Sequence, residues 1–279
     1  MAEFIKSPLN YVGGKYKLLP QIVPLFPDKI TTFIDLFGGG ANVSINANAD
    51  KVVYNDISLQ VVQVLEYFKK NDVQKILSNI DLFIDKYSLS KTNSEGYLEL
   101  REKYNNGHRN PIILYTLICY SFNNQIRFNS KGEYNMPFGK DRSSFNEALR
   151  GKFIKFCETL HQKNIIFTNS DFREYTTMEF DKNTFIYCDP PYLNTIATYN
   201  ERSGWTTENE QNLRTLLEDW TVMGIKWGLS NNISVNTSLK EWAENNNYTI
   251  HNLSNSYGNC NYHKKDKNTK DIEVLITNY

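Results

Sequence analysis

Four consecutive residues, Asp189-Pro190-Pro191-Tyr192, combine a carboxylate, two rigid residues and an aromatic ring. They follow a strand-like apolar run, Thr184 to Cys188, and open α/β sheets bind their ligands at the carboxyl ends of strands. Prolines stiffen the turn and leave its carbonyls able to accept hydrogen bonds. A planar amino group could donate to Asp189 and to the Pro190 carbonyl, and an extruded base could stack on Tyr192. The alternative is a rigid turn with an incidental aromatic residue.

A glycine-rich turn follows another strand-like run nearer the start of the chain. The run Thr31 to Leu36 leads into Gly38-Gly39-Gly40, and the run Val52 to Asn55 leads into Asp56. Glycines allow close approach of a ligand, and the N-terminus of the helix predicted after them favours a negative group. An acid that closes the second strand can accept both hydroxyls of a ribose. The layout predicts a ribose-bearing cofactor, with a bare turn as the alternative.

Two residues of this region distinguish between cofactors. A dinucleotide fingerprint needs a third Gly or Ala, and Val43 occupies that position. Asp35 would repel a pyrophosphate but attract an ammonium or a sulfonium. These features favour S-adenosylmethionine over NAD.

An aromatic residue and paired glycines also precede the first strand. Tyr11 is followed by Gly13-Gly14 and then by Lys15. The glycines again suggest close backbone approach, and Lys15 could hold a carboxylate. A loop that caps the sheet is the alternative interpretation.

The elements that must position these residues alternate along the chain. Strand-like runs, which predict a mostly parallel sheet when helices separate them, are Thr31–Leu36, Val52–Asn55, Ile165–Thr168, Thr184–Cys188, Ile225–Leu229, Tyr248–Leu253 and Ile272–Thr277. Apolar residues at helical spacing occur within 61–68, 73–80 and 213–220. The alternation lapses between Ile57 and Asn164. We therefore predict a helical insertion at 57–164 in a domain formed by 1–56 and 165–279.

Composition restricts the class of protein. The 279 residues include 31 Lys plus Arg and 31 Asp plus Glu, so DNA binding would require basic residues gathered on one face. The four cysteines form no C-x-x-C pair, and Cys260 to His263 has the spacing of only half a zinc site. The start of the chain lacks a signal-peptide pattern, and no apolar stretch is long enough to span a membrane. We expect a cytoplasmic protein without a metal.

The block Ser121 to Lys140 has unusual chemistry for a surface hairpin. Arg127 can make a bidentate contact with guanine, and Asn123 and Gln125 can form hydrogen bonds with adenine. Phe122 could fill the space that a flipped base leaves in the stack. Residues suited to phosphates are Lys131, Lys140 and Arg142. The alternative is an ordinary polar β-hairpin.

Together these segments resemble the Dam-like (D12 class, alpha group) site-specific DNA adenine-N6 methyltransferases. In that family the cofactor loop precedes the target-recognition region, which precedes a DPPY motif. The matching parts are Tyr11–Leu19, Asp35–Gly40, Asp56, Phe122–Gly139, Asp171-Phe172, Asp189–Tyr192 and Glu273–Tyr279. The resemblance implies an α/β fold: a seven-stranded Rossmann-like sheet that binds S-adenosylmethionine, with an inserted, mainly helical target-recognition domain.

The resemblance also implies roles for individual residues. The implied catalytic residues are Asp189, Pro190 and Tyr192. The implied cofactor contacts are Tyr11, Lys15, Asp56 and Asp189, with Asp35, Gly38 and Gly40 at the methionine end and Asp171 and Phe172 beside the adenine. The implied DNA contacts are Asn10, Phe122, Asn123, Gln125, Arg127 and Lys140. We expect the partner to be double-stranded DNA, the product to be S-adenosylhomocysteine and the protein to be a monomer.

The sequence departs from the best-known members, which recognise GATC, at two positions that read bases. Those members carry a basic residue where this chain has Asn10, and a small apolar residue where it has Gln125. The recognition site therefore stays open between GATC and another short adenine-containing sequence. Three rivals also remain: an RNA adenine methyltransferase, a protein glutamine methyltransferase and a DNA-binding protein that has lost catalysis.

Overall fold

All seven strand-like runs of the sequence form strands in the computed structural model, which describes residues 3–177, 180–193, 205–234, 236–254 and 272–279. The strands are β1 (Thr32–Asp35), β2 (Lys51–Asn55), β3 (Ile165–Thr168), β4 (Thr184–Cys188), β5 (Lys226–Asn232), β6 (Thr249–Leu253) and β7 (Glu273–Thr277). Most apolar side chains of the central strands are buried because layers of helices cover the sheet, whereas Ile166 on the edge strand β3 is exposed. The predicted α/β class is confirmed.

The sheet has the order β3-β2-β1-β4-β5-β7-β6. Strands β1 to β5 pair in parallel, and β7 is antiparallel to both β5 and β6. The chain runs outward from β1 to β3 on one side and from β4 to β5 on the other. A crevice therefore opens between the carboxyl ends of β1 and β4, the kind of switch point at which open α/β sheets bind ligands.

The helical patterns of the sequence are also confirmed as helices. The α-helices are α1 (Leu19–Ile22), α2 (Leu59–Lys70), α3 (Val73–Lys86), α4 (Ser94–Asn105), α5 (Pro111–Tyr120), α6 (Glu147–Gln162), α7 (Thr207–Val222) and α8 (Thr237–Asn245). Side chains cap the N-termini of several of them. Asp72, Asn93 and Asn110, for example, accept backbone N–H bonds at the starts of α3, α4 and α5, which satisfies donors that a helix start leaves unpaired.

Two clusters of buried side chains lie on opposite faces of the sheet. Phe33 and Tyr187 belong to the cluster that continues into α2, α3, α5 and α6. Ile34 and Ile186, their neighbours along β1 and β4, belong to the cluster that includes residues of α7 and α8. This division follows from the alternation of side chains along a strand.

Helices α2 to α6 all fall between β2 and β3, where the sequence predicts an insertion. Helix α5 is buried along Ile112 to Tyr120 and contacts α2, α3 and α4. Because the same cluster also includes residues of the sheet, the helices and one sheet face share a continuous core. The division into 1–56 with 165–279 and 57–164 stays a prediction.

The helix predicted directly after the glycine-rich turn is reduced to one 3₁₀ turn, Ser44–Asn46. Gly39 and Ala41 both have left-handed backbone, with φ of 48° and 60°. Such angles interrupt a right-handed helix, so helical backbone begins only beyond Ala41. The helix N-terminus that the sequence predicts at the glycines is therefore absent from this described segment.

Within the described ranges, no helix has the length and apolar character needed to cross a membrane. The same residues contain no group of three or more His, Cys, Asp or Glu side chains that could hold a metal ion. Cys260 to His263 and the Lys264-Lys265 pair lie outside the described residues.

Candidate active site

A cavity of about 700 Å³ lies at the carboxyl ends of β1 to β4. The turns after these four adjacent strands line it, together with the loop before α1 and part of the segment after α5. It brings together most residues that the sequence predicts for a site: Tyr11, Lys15, Asp35, Gly38, Gly40, Asp56, Arg127, Asp171, Phe172, Asp189, Pro190 and Tyr192. Parallel strands produce this convergence because their carboxyl ends meet at one edge.

Asp189 and Lys15 form a buried ion pair in the cavity. The Lys15 Nζ lies 2.7 Å from the Asp189 Oδ1, and it also donates to the Gly13 carbonyl at 2.9 Å. Lys15 is 4% exposed and Asp189 18% exposed. Burial raises the pKa of Asp189, and the Lys15 charge and hydrogen bond oppose that rise. The carboxylate that Lys15 holds is therefore that of Asp189.

Tyr192 is anchored at its hydroxyl. The hydroxyl donates to the Glu273 Oε2 at 2.9 Å, and the Lys15 Nζ lies 5.1 Å from the centre of the ring. Burial raises the pKa of Tyr192 well above its ordinary value, and the nearby Asp189 and Glu273 charges add to the rise. The phenol therefore keeps its proton and remains a donor.

Asp35 is buried beneath the glycine-rich turn. Its Oδ2 accepts hydrogen bonds from the Ser44 N–H at 3.1 Å and from the Ser44 hydroxyl. Burial raises the pKa of Asp35 to about 7, and the Ser44 bonds only partly oppose it. The group therefore changes its charge near neutral pH.

Asp56 is held by backbone N–H groups on both carboxylate oxygens. Gly39 donates to Oδ2 and Ser58 to Oδ1, each at 2.8 Å. Burial raises the pKa of Asp56, against the effect of these two bonds. Each carboxylate oxygen can accept more than one hydrogen bond, so both can also accept from the two hydroxyls of a ribose.

Gly38 is required by packing against the core. A Cβ at this position would overlap the ring of Tyr54. The Tyr54 hydroxyl in turn donates to the Gly39 carbonyl at 2.7 Å and fixes the turn from below. The sequence predicts close approach of a ligand at this turn, and the structure shows that a core side chain also approaches Gly38 closely.

Three aromatic rings, Phe37, Phe172 and Trp205, form what we call the aromatic wall of the cavity. Phe37 lies 5.6 Å from Phe172 and 5.6 Å from Trp205, and Phe172 lies 5.5 Å from Trp205, measured between ring centres. The Trp205 indole donates to the buried Glu210 at 2.8 Å. Sequence reasoning missed Phe37 and Trp205. Phe37 stood within the glycine-rich motif, but nothing in the sequence linked Trp205 to it.

Asp171, at the edge of the cavity, is paired within its own turn. The Arg173 guanidinium donates to both carboxylate oxygens, at 2.7 and 2.6 Å. Arg173 lowers the pKa of Asp171 mainly through the side-chain hydrogen bond. A ligand that uses this carboxylate must therefore share it with Arg173.

The predicted surface hairpin is an irregular loop, here called the recognition loop (121–140). Two isolated bridges close it, Ser121 with Phe138 and Phe128 with Tyr134. Tyr134 is buried and donates to the Gln125 carbonyl at 3.0 Å, so the loop is anchored by its own side chains. The loop therefore contains buried side chains, such as Tyr134, as well as solvated polar residues.

Arg127 is the predicted base-reading residue that lies in the cavity wall. Its Nε donates to the Asn135 Oδ1 at 2.8 Å and its Nη2 to the Asn135 carbonyl at 3.1 Å. These bonds set the plane of the guanidinium against the loop. A base would therefore meet an oriented group.

The other predicted DNA-binding residues lie outside the cavity wall. Asn123 has left-handed backbone, with φ of 55°, and its carbonyl accepts from the Asn10 Nδ2 at 2.7 Å. This bond joins the loop before α1 to the recognition loop. Phe122 is 39% exposed, with the Arg142 guanidinium 5.0 Å from its ring centre. Gln125 is half-buried and Lys140 is exposed.

Comparisons with known proteins match nearly the whole chain, including every segment that lines the cavity. The family model for D12 class N6 adenine-specific DNA methyltransferase matches residues 11–259. The chain is 47% identical to the type II methyltransferase M.FokI of Planomicrobium okeanokoites and 41% identical to the modification methylase StsI of Streptococcus sanguinis. Both alignments cover 99% of this chain but 43% of the relative, so the chain spans less than half the length of these relatives.

A more distant similarity extends to a DNA adenine methylase of Salmonella typhi. That protein is 29% identical over 197 residues, which cover 69% of this chain and 66% of the relative.

Proposed function

Because the chain belongs to the D12 class N6 adenine-specific DNA methyltransferases, we propose that it transfers a methyl group from S-adenosylmethionine to adenine N6 in a short sequence of duplex DNA. The target adenine would be flipped out of the helix to reach the cavity. The observation that carries this proposal is the Asp189–Lys15 pair at the DPPY turn, in a cavity that the recognition loop also lines.

The cavity fits the cofactor by size and by chemistry. Both Asp56 oxygens can accept from ribose hydroxyls, and the aromatic wall offers faces for an adenine ring. Asp35 would face the methionine end, whose ammonium and sulfonium are cationic. The bound cofactor supplies an electrophilic methyl group. Gly38 and Gly40 would line the same end through the turn they form.

The residues of the DPPY turn would prepare the target nitrogen. The N6 lone pair of adenine is delocalised into the ring, so the amine is a poor nucleophile. Hydrogen bonds from N6–H to Asp189 and to the Pro190 carbonyl would draw electron density onto nitrogen and favour tetrahedral geometry. Lys15 would keep Asp189 ionised and oriented, and Tyr192 would stack on the base.

Specific observations favour DNA as substrate over the rivals. Arg127 and Phe128 of the recognition loop line the same cavity as Asp189, so a recognition element adjoins the chemistry. Removing the Asp189 and Lys15 charges from water is costly. A DNA-binding protein that had lost catalysis would have no use for this costly pair. The relatives named as modification methylases support a restriction–modification setting. A phage origin is the other setting proposed, and in both the chain would act on DNA in the cytoplasm.

Methyl transfer with a labelled cofactor tests the proposal directly. The chain is incubated with S-adenosylmethionine carrying a tritiated methyl group and, separately, with unmethylated duplex DNA, RNA and a protein mixture. We expect label in DNA alone, as N6-methyladenine. Sequencing that detects methylated adenines would then identify the target site. Label in RNA or protein, or no label at all, would overturn the proposal.

Cofactor affinity should increase with pH through the titration of Asp35. Its pKa of about 7 means that the carboxylate forms as pH rises from 5.5 to 7.5, while an α-ammonium remains mostly protonated. Attraction to the cationic methionine end should therefore strengthen affinity by roughly tenfold over this range. Calorimetric titration with S-adenosylmethionine at each pH measures the change, and Asp35→Asn should flatten it.

Stability of the protein without cofactor should follow the opposite trend. The unfolded Asp35 ionises near pH 4, whereas the folded group ionises near 7. Between these values the folded state binds more protons, so the contribution of Asp35 to stability falls as pH rises. Thermal unfolding should show that the stability of Asp35→Asn relative to wild type is greater at pH 7.5 than at pH 5.5. An equal difference at both values would contradict the assignment.

Arg127→Ala should relax recognition of one guanine in the target. Losing a bidentate contact costs about 1–3 kcal/mol of discrimination, so kcat/KM for the mapped site should fall by roughly tenfold to a hundredfold. Rates on duplexes altered at single positions measure the loss. Lys140→Ala is the matched control, because an exposed phosphate contact weakens binding to every sequence equally. Unchanged preference in Arg127→Ala would exclude it as a base-reading residue.

A further inference from the structure

The hydrogen bond from Tyr192 to Glu273 joins two distant parts of the chain. The partners are separated by 81 positions, and the bond measures 2.9 Å between the hydroxyl and Oε2. It meets the Tyr192 ring at the end opposite its backbone attachment. Rotation about χ1 would carry the hydroxyl away from Glu273 and break this contact, so the bond holds the ring in one position. Rotation about χ2 leaves the hydroxyl oxygen in place because this oxygen lies on the rotation axis.

Glu273 is placed to act as a rigid anchor. It is the first residue of β7 and pairs with Asn232 of β5 on one side and with Leu253 of β6 on the other. Ladders on both sides restrict its backbone, and the side chain belongs to a residue only 8% exposed. The antiparallel β7 thus brings a carboxylate to the edge of the sheet where β4 ends and the DPPY turn begins.

The ring is also held by a charge. The Lys15 Nζ that pairs with Asp189 lies 5.1 Å from the ring centre of Tyr192, close enough for a cation–π attraction. Lys15 therefore links the carboxylate and the ring of the DPPY turn, while Glu273 fixes the far end of that ring. The relative position of Asp189 and the Tyr192 face depends on both contacts.

We propose that Glu273 is a positioning residue, which holds the Tyr192 ring in one position so that the stacked adenine presents N6 to Asp189. This inference rests on the proposed function, because it assigns the ring to the target base. Small displacements of reacting groups reduce rates strongly, so a ring free to swing about χ1 would lower kcat. Cofactor binding, which we assign mainly to Asp56, Asp35 and the aromatic wall, would be unaffected, because Glu273 touches none of these in the proposal.

A double-mutant cycle between Glu273 and Tyr192 tests the proposal on the mapped duplex. Glu273→Ala should lower kcat by about tenfold and leave the cofactor dissociation constant unchanged. Glu273→Gln keeps an oxygen that can accept the bond and should recover most of the rate. In a Tyr192→Phe background, which lacks the hydroxyl, neither substitution should have a further effect. Glu218→Ala is the matched control. It removes the acceptor of a 2.6 Å bond from the Trp242 indole, and Glu218 lies in α7 outside the cavity lining.

Base stacking supplies an independent readout. With 2-aminopurine at the target position, fluorescence of the wild-type complex should be quenched relative to Glu273→Ala, because an ordered ring stacks on the base. Equal losses of rate in the wild-type and Tyr192→Phe backgrounds would overturn the inference. If Glu273→Ala fails to fold, as judged by thermal unfolding, Tyr192→Phe carries the comparison, because it removes the same bond and should lower kcat by a similar factor; an unchanged kcat in Tyr192→Phe would then overturn the inference. Absence of methyl transfer by the wild type would instead refute the proposed function.

Discussion

Asp189→Ala should reduce methyl transfer to adenine N6 by about a thousandfold or more. The substitution removes the acceptor that would draw electron density onto N6. It also leaves the Lys15 ammonium, which lies 2.7 Å from the carboxylate, buried without that partner. Single-turnover kinetics with saturating S-adenosylmethionine measures the chemical step. Calorimetric titration measures the cofactor dissociation constant separately, so a loss of binding is not mistaken for a loss of chemistry.

Asp189→Asn is the informative companion to this variant. Its amide oxygen still accepts one hydrogen bond, but its charge is gone, so the rate should lie between those of wild type and Asp189→Ala. Thermal unfolding of all three proteins shows whether the fold survives. If Asp189→Ala kept near-normal methyl transfer, the mechanism proposed for the DPPY turn would be wrong.

Lys15→Met should lower kcat/KM by about a hundredfold at pH 7 and shift the acid limb of its pH profile to higher pH. Burial raises the pKa of Asp189, and Lys15 opposes this rise. Without Lys15 the pKa rises further, so a higher pH is needed to form the carboxylate. Removing Lys15 should also lower stability, because the half-buried Asp189 carboxylate loses its cation, and unfolding in denaturant measures this loss.

Lys15→Arg is the matched control for charge. It retains a cation and should keep the acid limb near its wild-type position, even if the altered shape lowers the maximum rate. A profile for Lys15→Met that stays in place, or moves to lower pH, would mean that Lys15 does not govern the ionisation of Asp189.

Prediction of the fold succeeded where burial dominates the sequence pattern. Ile165–Thr168 and Thr184–Cys188 are strands with the predicted bounds, because runs of β-branched and aromatic residues suit a covered sheet. The predicted helix after the glycine-rich turn was wrong because Ala41 adopts left-handed backbone. Its angle depends on the tertiary setting, since an isolated alanine has no local reason to adopt it.

The sequence anticipated only part of the contacts in the cavity, for a related reason. Asp35 and Asp189 each close a strand-like run, and parallel pairing of β1 with β4 brings them to one edge. Their partners follow no such rule. Lys15 begins a 3₁₀ turn before the first strand, Glu273 belongs to the antiparallel β7, and Trp205 lies just before α7.

The sequence alone determined the strands, the DPPY turn and the acidic residues that end successive strands, because these features depend on neighbours along the chain. Only the tertiary structure decided which charge meets Asp189, what anchors Tyr192, and how Arg127 is oriented. Those contacts join residues far apart in sequence, and their energies depend on burial and distance. Neither quantity exists until the chain has folded.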